Sequence, residues 1–253
     1  MSSIGTGYDL SASQFSPDGR VFQIDYASKA LERSGTVIGL RGKDCVVLAA
    51  EKLITSKLYE DNSGGRVYTI DQNIGCVFAG LLADGRQLVE IARSEAKRYR
   101  NNLNRTIPLK ELVERVAAYM HAYTLYSAVR PFGVSVIFAA YDDLHGPQLY
   151  KIEPAGTSFG YLACATGKAK QQAKTEMEKY TFKDMSTEDL IIHAGKIIYQ
   201  VHDELKDKDF VFELGVVGKE TNSLHTLNPP KWVLLAEEAG KAAKSEDDSD
   251  NEI

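Results

Sequence analysis

The sequence predicts an α+β domain built on antiparallel sheets. Three observations point there. Strand segments rich in β-branched residues are followed by long amphipathic helical patterns, and that order occurs twice along the 253 residues. The early strands come in adjacent pairs joined by short turns, the mark of hairpins. Hydrophobic residues make up 43% and charged residues 26%, with no linker-like stretch, so one core of ordinary soluble type is expected.

Each element has its own signal. Ser16-Pro17-Asp18-Gly19-Arg20 specifies a tight turn, since Pro fixes φ, Asp closes an Asx-turn and Gly accepts positive φ. Val21, Ile24, Ala27 or Ser28, and Leu31 then recur at helical spacing and predict a helix over about 20–33, ended by Ser34-Gly35. Strands follow at 36–41 and 45–50 around a Gly42-Lys43-Asp44 turn, and at 66–70 and 74–80. Helices are expected at 84–101, with Leu88, Ile91, Ala92, Glu95 and Tyr99 along one side, and at 108–127, opening on Pro108. The second half predicts strands at 134–141, 148–153 and 158–165, then helices at 168–181 and 187–203. Strands at 210–217 and 224–227 and a last helix at 230–243 complete the pattern. Residues 1–15 read as a flexible arm, 16–235 as the folded body and 236–253 as an acidic, solvated tail.

Charge and composition exclude several functions. Seven acids and two bases between Ala236 and Ile253 account for the whole net charge of −5, leaving residues 1–235 formally neutral. A neutral body argues against nucleic-acid binding. No apolar run approaches the roughly 20 residues that cross a bilayer. The first nine residues have neither a basic residue nor an apolar core, so no signal or transit peptide is expected. Cys45, Cys76 and Cys164 are too few and scattered for a disulfide framework or a metal pair, which fits a reducing compartment. Thr166-Gly167-Lys168-Ala169 ends like a phosphate loop, but Leu162 stands where the first glycine belongs and Ala169 where Ser or Thr belongs. Gly5-Thr6-Gly7 fails similarly, with Leu10 in the third glycine slot. None of the five histidines forms a metalloprotease pattern, and His202 reads as a favourable last-turn residue of a helix. No metal or cofactor is expected.

A family resemblance begins at the N-terminus. Tyr8-Asp9, Phe15-Ser16-Pro17-Asp18-Gly19-Arg20 and Phe22-Gln23-Ile24-Asp25-Tyr26-Ala27 resemble the N-terminal signature of 20S proteasome alpha subunits. Thr36-Val37-Ile38-Gly39, the run Ala79–Asp84, the run Tyr126–Gly133 and Gly167-Lys168-Ala169 extend the likeness over about residues 4–230. The resemblance implies a four-layer α/β/β/α sandwich, the N-terminal-nucleophile hydrolase fold. It also implies a non-catalytic subunit of a seven-membered alpha ring that contacts neighbouring alpha subunits, the beta ring beneath, and regulatory particles. Cytoplasm and nucleus are the implied locations, and entry of proteins for ubiquitin-dependent or -independent degradation the implied process.

The same residues bear on catalysis. The related beta subunits use an N-terminal Thr released by cleavage after Gly, and this chain has Gly35-Thr36 near that place. An autonomous threonine hydrolase activated there is the alternative reading. It needs a carboxylate, which Glu51 could supply, and a nearby lysine. No lysine lies between Lys57 and Lys97, and Arg66 or Val67 falls at the candidate position. Arg, with a pKa above about 12, cannot exchange its proton near neutrality. Aligning Glu51 with the beta-subunit carboxylate also puts Gly35, not Thr36, in the nucleophile slot. No catalytic residue is therefore expected.

The resemblance implies two sites instead. Gating residues fall on Tyr8, Asp9, Pro17 and Tyr26, where hydroxyls and a carboxylate can bond neighbouring arms. Leu10 stands where the family usually has Arg. An activator-docking pocket falls on Arg66, Gly80 and Leu81, with Arg66 as the base that meets a terminal carboxylate. From the residues themselves, Ser245 and Ser249 have acids one and three places on, the pattern acidophilic kinases favour.

Overall fold

The structure is a computed structural model that describes residues 7–60, 63–204 and 209–251, the last six of these as backbone only. Its helices are α1 (Phe22–Leu31), α2 (Leu82–Leu103), α3 (Leu109–Ala122), α4 (Lys170–Glu178), α5 (Thr187–Val201) and α6 (Pro230–Asn251). Its strands are β1 (Val37–Arg41), β2 (Cys45–Leu53), β3 (Val67–Asp71), β4 (Ile74–Gly80), β5 (Val134–Asp142), β6 (Gly146–Ile152), β7 (Ser158–Gly160), β8 (Ala163–Thr166), β9 (Phe210–Gly218) and β10 (Thr226–Leu227).

Two five-stranded sheets result, ordered β10-β9-β2-β1-β8 and β3-β4-β5-β6-β7, with every pairing antiparallel. Period-two alternation of side chains splits each central strand between two cores. Val46, Leu48 and Ala50 of β2 face Val77, Ala79, Ile137 and Ala139 of the opposite sheet, forming the inner core. Val47 and Ala49 point the other way, toward Ala173 of α4 and Leu190, Ile191, Ala194 and Ile198 of α5. Cys76 and Phe78 of β4 likewise meet Leu88 and Ala92 of α2 and Leu112 and Val116 of α3. Both faces of each sheet are covered, so the central strands are apolar throughout; β4 and most of β5 are buried along their length. This is the four-layer α/β/β/α order that was expected.

α1 stands outside this layering, across the end of the second sheet. Phe22, Ala27 and Leu31 are its buried face. Its end is fixed to the body by Ser34, whose hydroxyl donates to Leu31 O at 2.8 Å and accepts from the Gly80 N–H at 2.9 Å. Leu81 N–H donates to Gly133 O at 3.0 Å, and Asp84 takes both Arg130 nitrogens at 2.7 and 2.9 Å and the Gly133 N–H at 3.0 Å. Burial alone would raise the Asp84 pKa, but these donors outweigh it and hold the carboxyl below its usual value.

Three elements differ from expectation. The run 158–165 is two strands, because the chain leaves the edge of one sheet at Gly160 and joins the edge of the other at Ala163. The second long helix stops at Ala122, where Thr124 turns its hydroxyl back to His121 O at 2.7 Å. The tail set at 236–253 begins inside α6, which continues to Asn251 and buries Ala236 and Ala243.

Candidate functional site

Of the four residues expected to gate, Asp9 and Tyr26 meet at α1. The turn before it closes as expected, Ser16 N–H donating to Arg20 O at 2.8 Å and Gly19 N–H to Ser16 O at 2.9 Å. Pro17 is exposed within it. The turn brings the preceding residues back over the helix. There the Tyr26 hydroxyl donates to Asp9 Oδ2 at 3.2 Å, and Gln23 Nε2 donates to the Asp9 carbonyl at 2.5 Å. Desolvation first, and then the Asp9 carboxylate, raise the Tyr26 phenol pKa, keeping it the donor. Tyr8 and Leu10 point outward and are exposed. Structure thus joins Asp9 to Tyr26, shapes the turn through Pro17, and leaves Tyr8 without a part in that contact. Gln23 is a further tether; its place one helical turn before Tyr26 is the signal that could have shown it. Residues 1–6 of the expected arm lie outside the described residues.

Beside the Asp9–Tyr26 contact lies a cavity of about 340 Å³ lined by Tyr26, Lys29, Ala30, Arg33, Gly80 and Leu81. Gly80 and Leu81, expected to line a docking pocket, are on its wall. Arg66 does not line it. Its Nη1 donates to the Gly80 carbonyl at 2.8 Å and its guanidinium lies 5.5 Å over the Phe78 ring. Burial lowers its pKa, against the opposing pull of Glu213. Arg66 therefore braces Gly80 from beneath, while the exposed bases at the mouth are Lys29 and Arg33. Sequence reading missed that pair, although four-residue spacing puts two cations on one side of a helix end.

The position of the alternative reading is sealed. Thr36 is buried, and its backbone N–H donates to Glu51 Oε2 at 2.8 Å. Its hydroxyl accepts from the Ala169 N–H at 3.2 Å. The other Glu51 oxygen meets His202 Nδ1 at 2.5 Å, both side chains being buried. His202 is thus a core partner of Glu51, which its helix-end position in the sequence did not show. Lys168 lines the adjoining cavity of about 300 Å³ with Thr36 and Glu51. Yet a Cβ on Gly35 would stand 1.9 Å from the Glu51 carbonyl, so no side chain fits the slot that the carboxylate defines.

Ser245 sits on α6, its hydroxyl donating to Ala242 O at 2.8 Å. The Ser249 side chain lies outside what is described. Among the described residues no cluster of His, Cys, Asp and Glu is arranged to hold a metal ion, and no helix is long and apolar enough to cross a membrane.

Comparison with known proteins fits this geometry. Residues 8–30, the turn and α1, match the N-terminal signature of proteasome A subunits, and residues 31–217 match the proteasome subunit family. The chain belongs to the proteasome subunit family and is of its alpha type, the non-catalytic class of the 20S core. It is 67% identical to proteasome subunit alpha type-3 of Drosophila melanogaster over all of this chain and 99% of the relative. The alpha type-3 subunit of Dictyostelium discoideum is 49% identical over 96% of this chain and 97% of its own length. A probable alpha type-7 subunit of Saccharomyces cerevisiae is 47% identical over 89% of this chain and 79% of its own.

Proposed function

We propose that this subunit gates the outer ring of the core particle and receives regulators there. In this reading it contacts neighbouring alpha subunits in a seven-membered ring, rests on the beta ring, and works in cytoplasm and nucleus. The observation that carries it is the Asp9–Tyr26 bond, which ties the N-terminal segment to α1 beside a cavity mouthed by Lys29 and Arg33. One contact thus links arm position to a place where a carboxylate can dock. Arg66 supports the pocket by holding the Gly80 carbonyl, and Lys29 and Arg33 supply the charge. Ser245, exposed on α6 and followed by acids, is the phosphate acceptor of this reading, and phosphopeptide mapping that finds it unmodified in cells removes that part.

The test uses assembled particles carrying Asp9→Ala. Activator-stimulated peptide hydrolysis is expected to fall about two- to tenfold, the range of one lost hydrogen bond. Hydrolysis equal to wild type would count against the gate. Lys29→Glu with Arg33→Glu should weaken activator binding in the same particles, and unchanged binding would detach the cavity from regulator docking.

A further inference from the structure

We propose that the open edge of β8 is a docking strand for an extended, acidic peptide segment of another protein. The inference does not rest on the gate or its cavity.

β8 is an end strand of its sheet and pairs only with β1. Its open side can be worked out from register. Arg41 N–H donates to Leu162 O at 2.8 Å, so Leu162 is a hydrogen-bonded partner of β1. Alternation then turns the backbone of Cys164 and Thr166 toward β1, opposite Gly39 and Val37. The N–H and C=O groups of Ala163 and Ala165 are left facing outward. A strand edge of this kind is a template for pairing with another chain unless something covers it.

What lies beside it is a cleft, not a covering element. A cavity of about 590 Å³ runs between β8 and α4, with Ala163 and Ala165 on its wall. Its floor is apolar, made by Met177, Tyr180 and Phe182. Its rim carries Lys151, Lys170, Lys174 and Lys183 against only Glu153 and Glu178. Lys151 is fixed, its Nζ 2.7 Å from Glu153 and 5.2 Å over the Tyr161 ring. Lys170 and Lys174 are exposed, with carboxylates no nearer than the 3.8 and 3.7 Å contacts to Glu32 and Glu178. An excess of lysines in a chain whose net charge is −5 selects an anionic partner. Free strand donors and acceptors select an extended peptide, and the floor takes one large apolar side chain from it. All three requirements coincide in a segment that alternates acids with apolar residues.

The probe is a fluorescein-labelled heptapeptide alternating glutamate with valine around one central phenylalanine, titrated with the full chain by fluorescence anisotropy at low salt. The same peptide N-methylated at the amides that would face β8 keeps every side chain and loses the strand bonds. It is expected to bind at least tenfold more weakly. Ala165→Pro removes an outward N–H at a sheet edge, where proline is tolerated, and should weaken the parent peptide about tenfold. Should that variant fail to fold, the methylated peptide asks the same question of the unaltered chain. Lys170→Glu with Lys174→Glu should also cost about tenfold. Equal binding of the parent and methylated peptides, or of a single-stranded oligothymidine, would overturn the proposal in favour of a generic anion patch. Binding indifferent to the lysine reversals would overturn it as well.

Discussion

His225 shows how much one residue can set. Its ring is held between the two sheets' glycines, Gly75 and Gly215, with Nδ1 2.7 Å from the Thr69 hydroxyl, while its backbone N–H donates to Gln72 O at 2.7 Å. Nε2 is buried without a partner. Burial depresses the pKa from 6.5 to about 4. The unfolded chain takes up this proton near pH 6.5 and the folded one only near 4, so the contribution to stability is complete above 6.5 and is lost as pH falls through that interval. From pH 7.5 to 5 the loss is ~2 kcal/mol. Urea titrations at the two pH values should show it, and His225→Gln should flatten the difference; equal slopes for both proteins would refute the assignment. Tyr26→Phe makes the matching prediction at the proposed gate. Only the hydroxyl leaves, α1 keeps its buried face, and stability should change by less than ~1 kcal/mol while activator-stimulated hydrolysis falls as for Asp9→Ala. A large loss of stability instead would make Tyr26 a structural residue.

Among elements, the packing of α5 on α6 is the most exacting. A Cβ on Gly195 would stand 2.1 Å from the Ala236 carbonyl, backbone that cannot swing aside. Gly195→Ala gains about 1 kcal/mol of helix propensity and forces the helices apart, an overpacking cost of about 1–3 kcal/mol. Net destabilisation, seen as a lower urea midpoint at unchanged slope, is the expected outcome, and a raised midpoint would contradict the packing. The same helices show what was legible. α2, α3 and α5 were visible because one buried stripe repeats through each, as with Leu88, Ala92 and Tyr99. β4 and β5 were visible as short, mostly apolar runs. The break between β7 and β8 was not, since Tyr161-Leu162 carries no turn chemistry and only the meeting of two sheet edges divides the run. α6 looked shorter because acids near a helix C-terminus oppose its dipole. α6 is tied to the segment after α5 by Lys244, which pairs with Glu204 at 2.5 Å. Among the expected site residues, Tyr8, Asp9, Pro17 and Tyr26 lie in one local segment, and the resemblance named them together; the contact the structure shows among them is Asp9 to Tyr26. Lys29, Arg33 and His202 depend on which distant strand end arrives beside them.

Across the whole molecule, apolar side chains remain exposed on unlike surfaces. Leu10 and Phe15 precede α1, Leu58 and Tyr59 follow β2, Leu125 and Tyr126 follow α3, and Leu234 lies on α6. These patches come from different elements and are not copies of one another. A two-fold dimer would need one self-complementary patch, whereas unlike faces suit head-to-tail contacts, which close into a ring when the rotation between neighbours allows. The proposed seven-membered ring is the closed case. Such a chain should therefore associate through different residues on its two sides. Native mass spectrometry of this subunit with other alpha-type subunits is expected to show a seven-chain species. Leu58→Glu and Leu125→Glu should each reduce its share, since a desolvated charge replaces an apolar contact at a different joint. Mixing the two variants should not restore closure, because each still carries one defective joint. A species confined to even-numbered pairs, or full assembly with both variants, would set this arrangement aside.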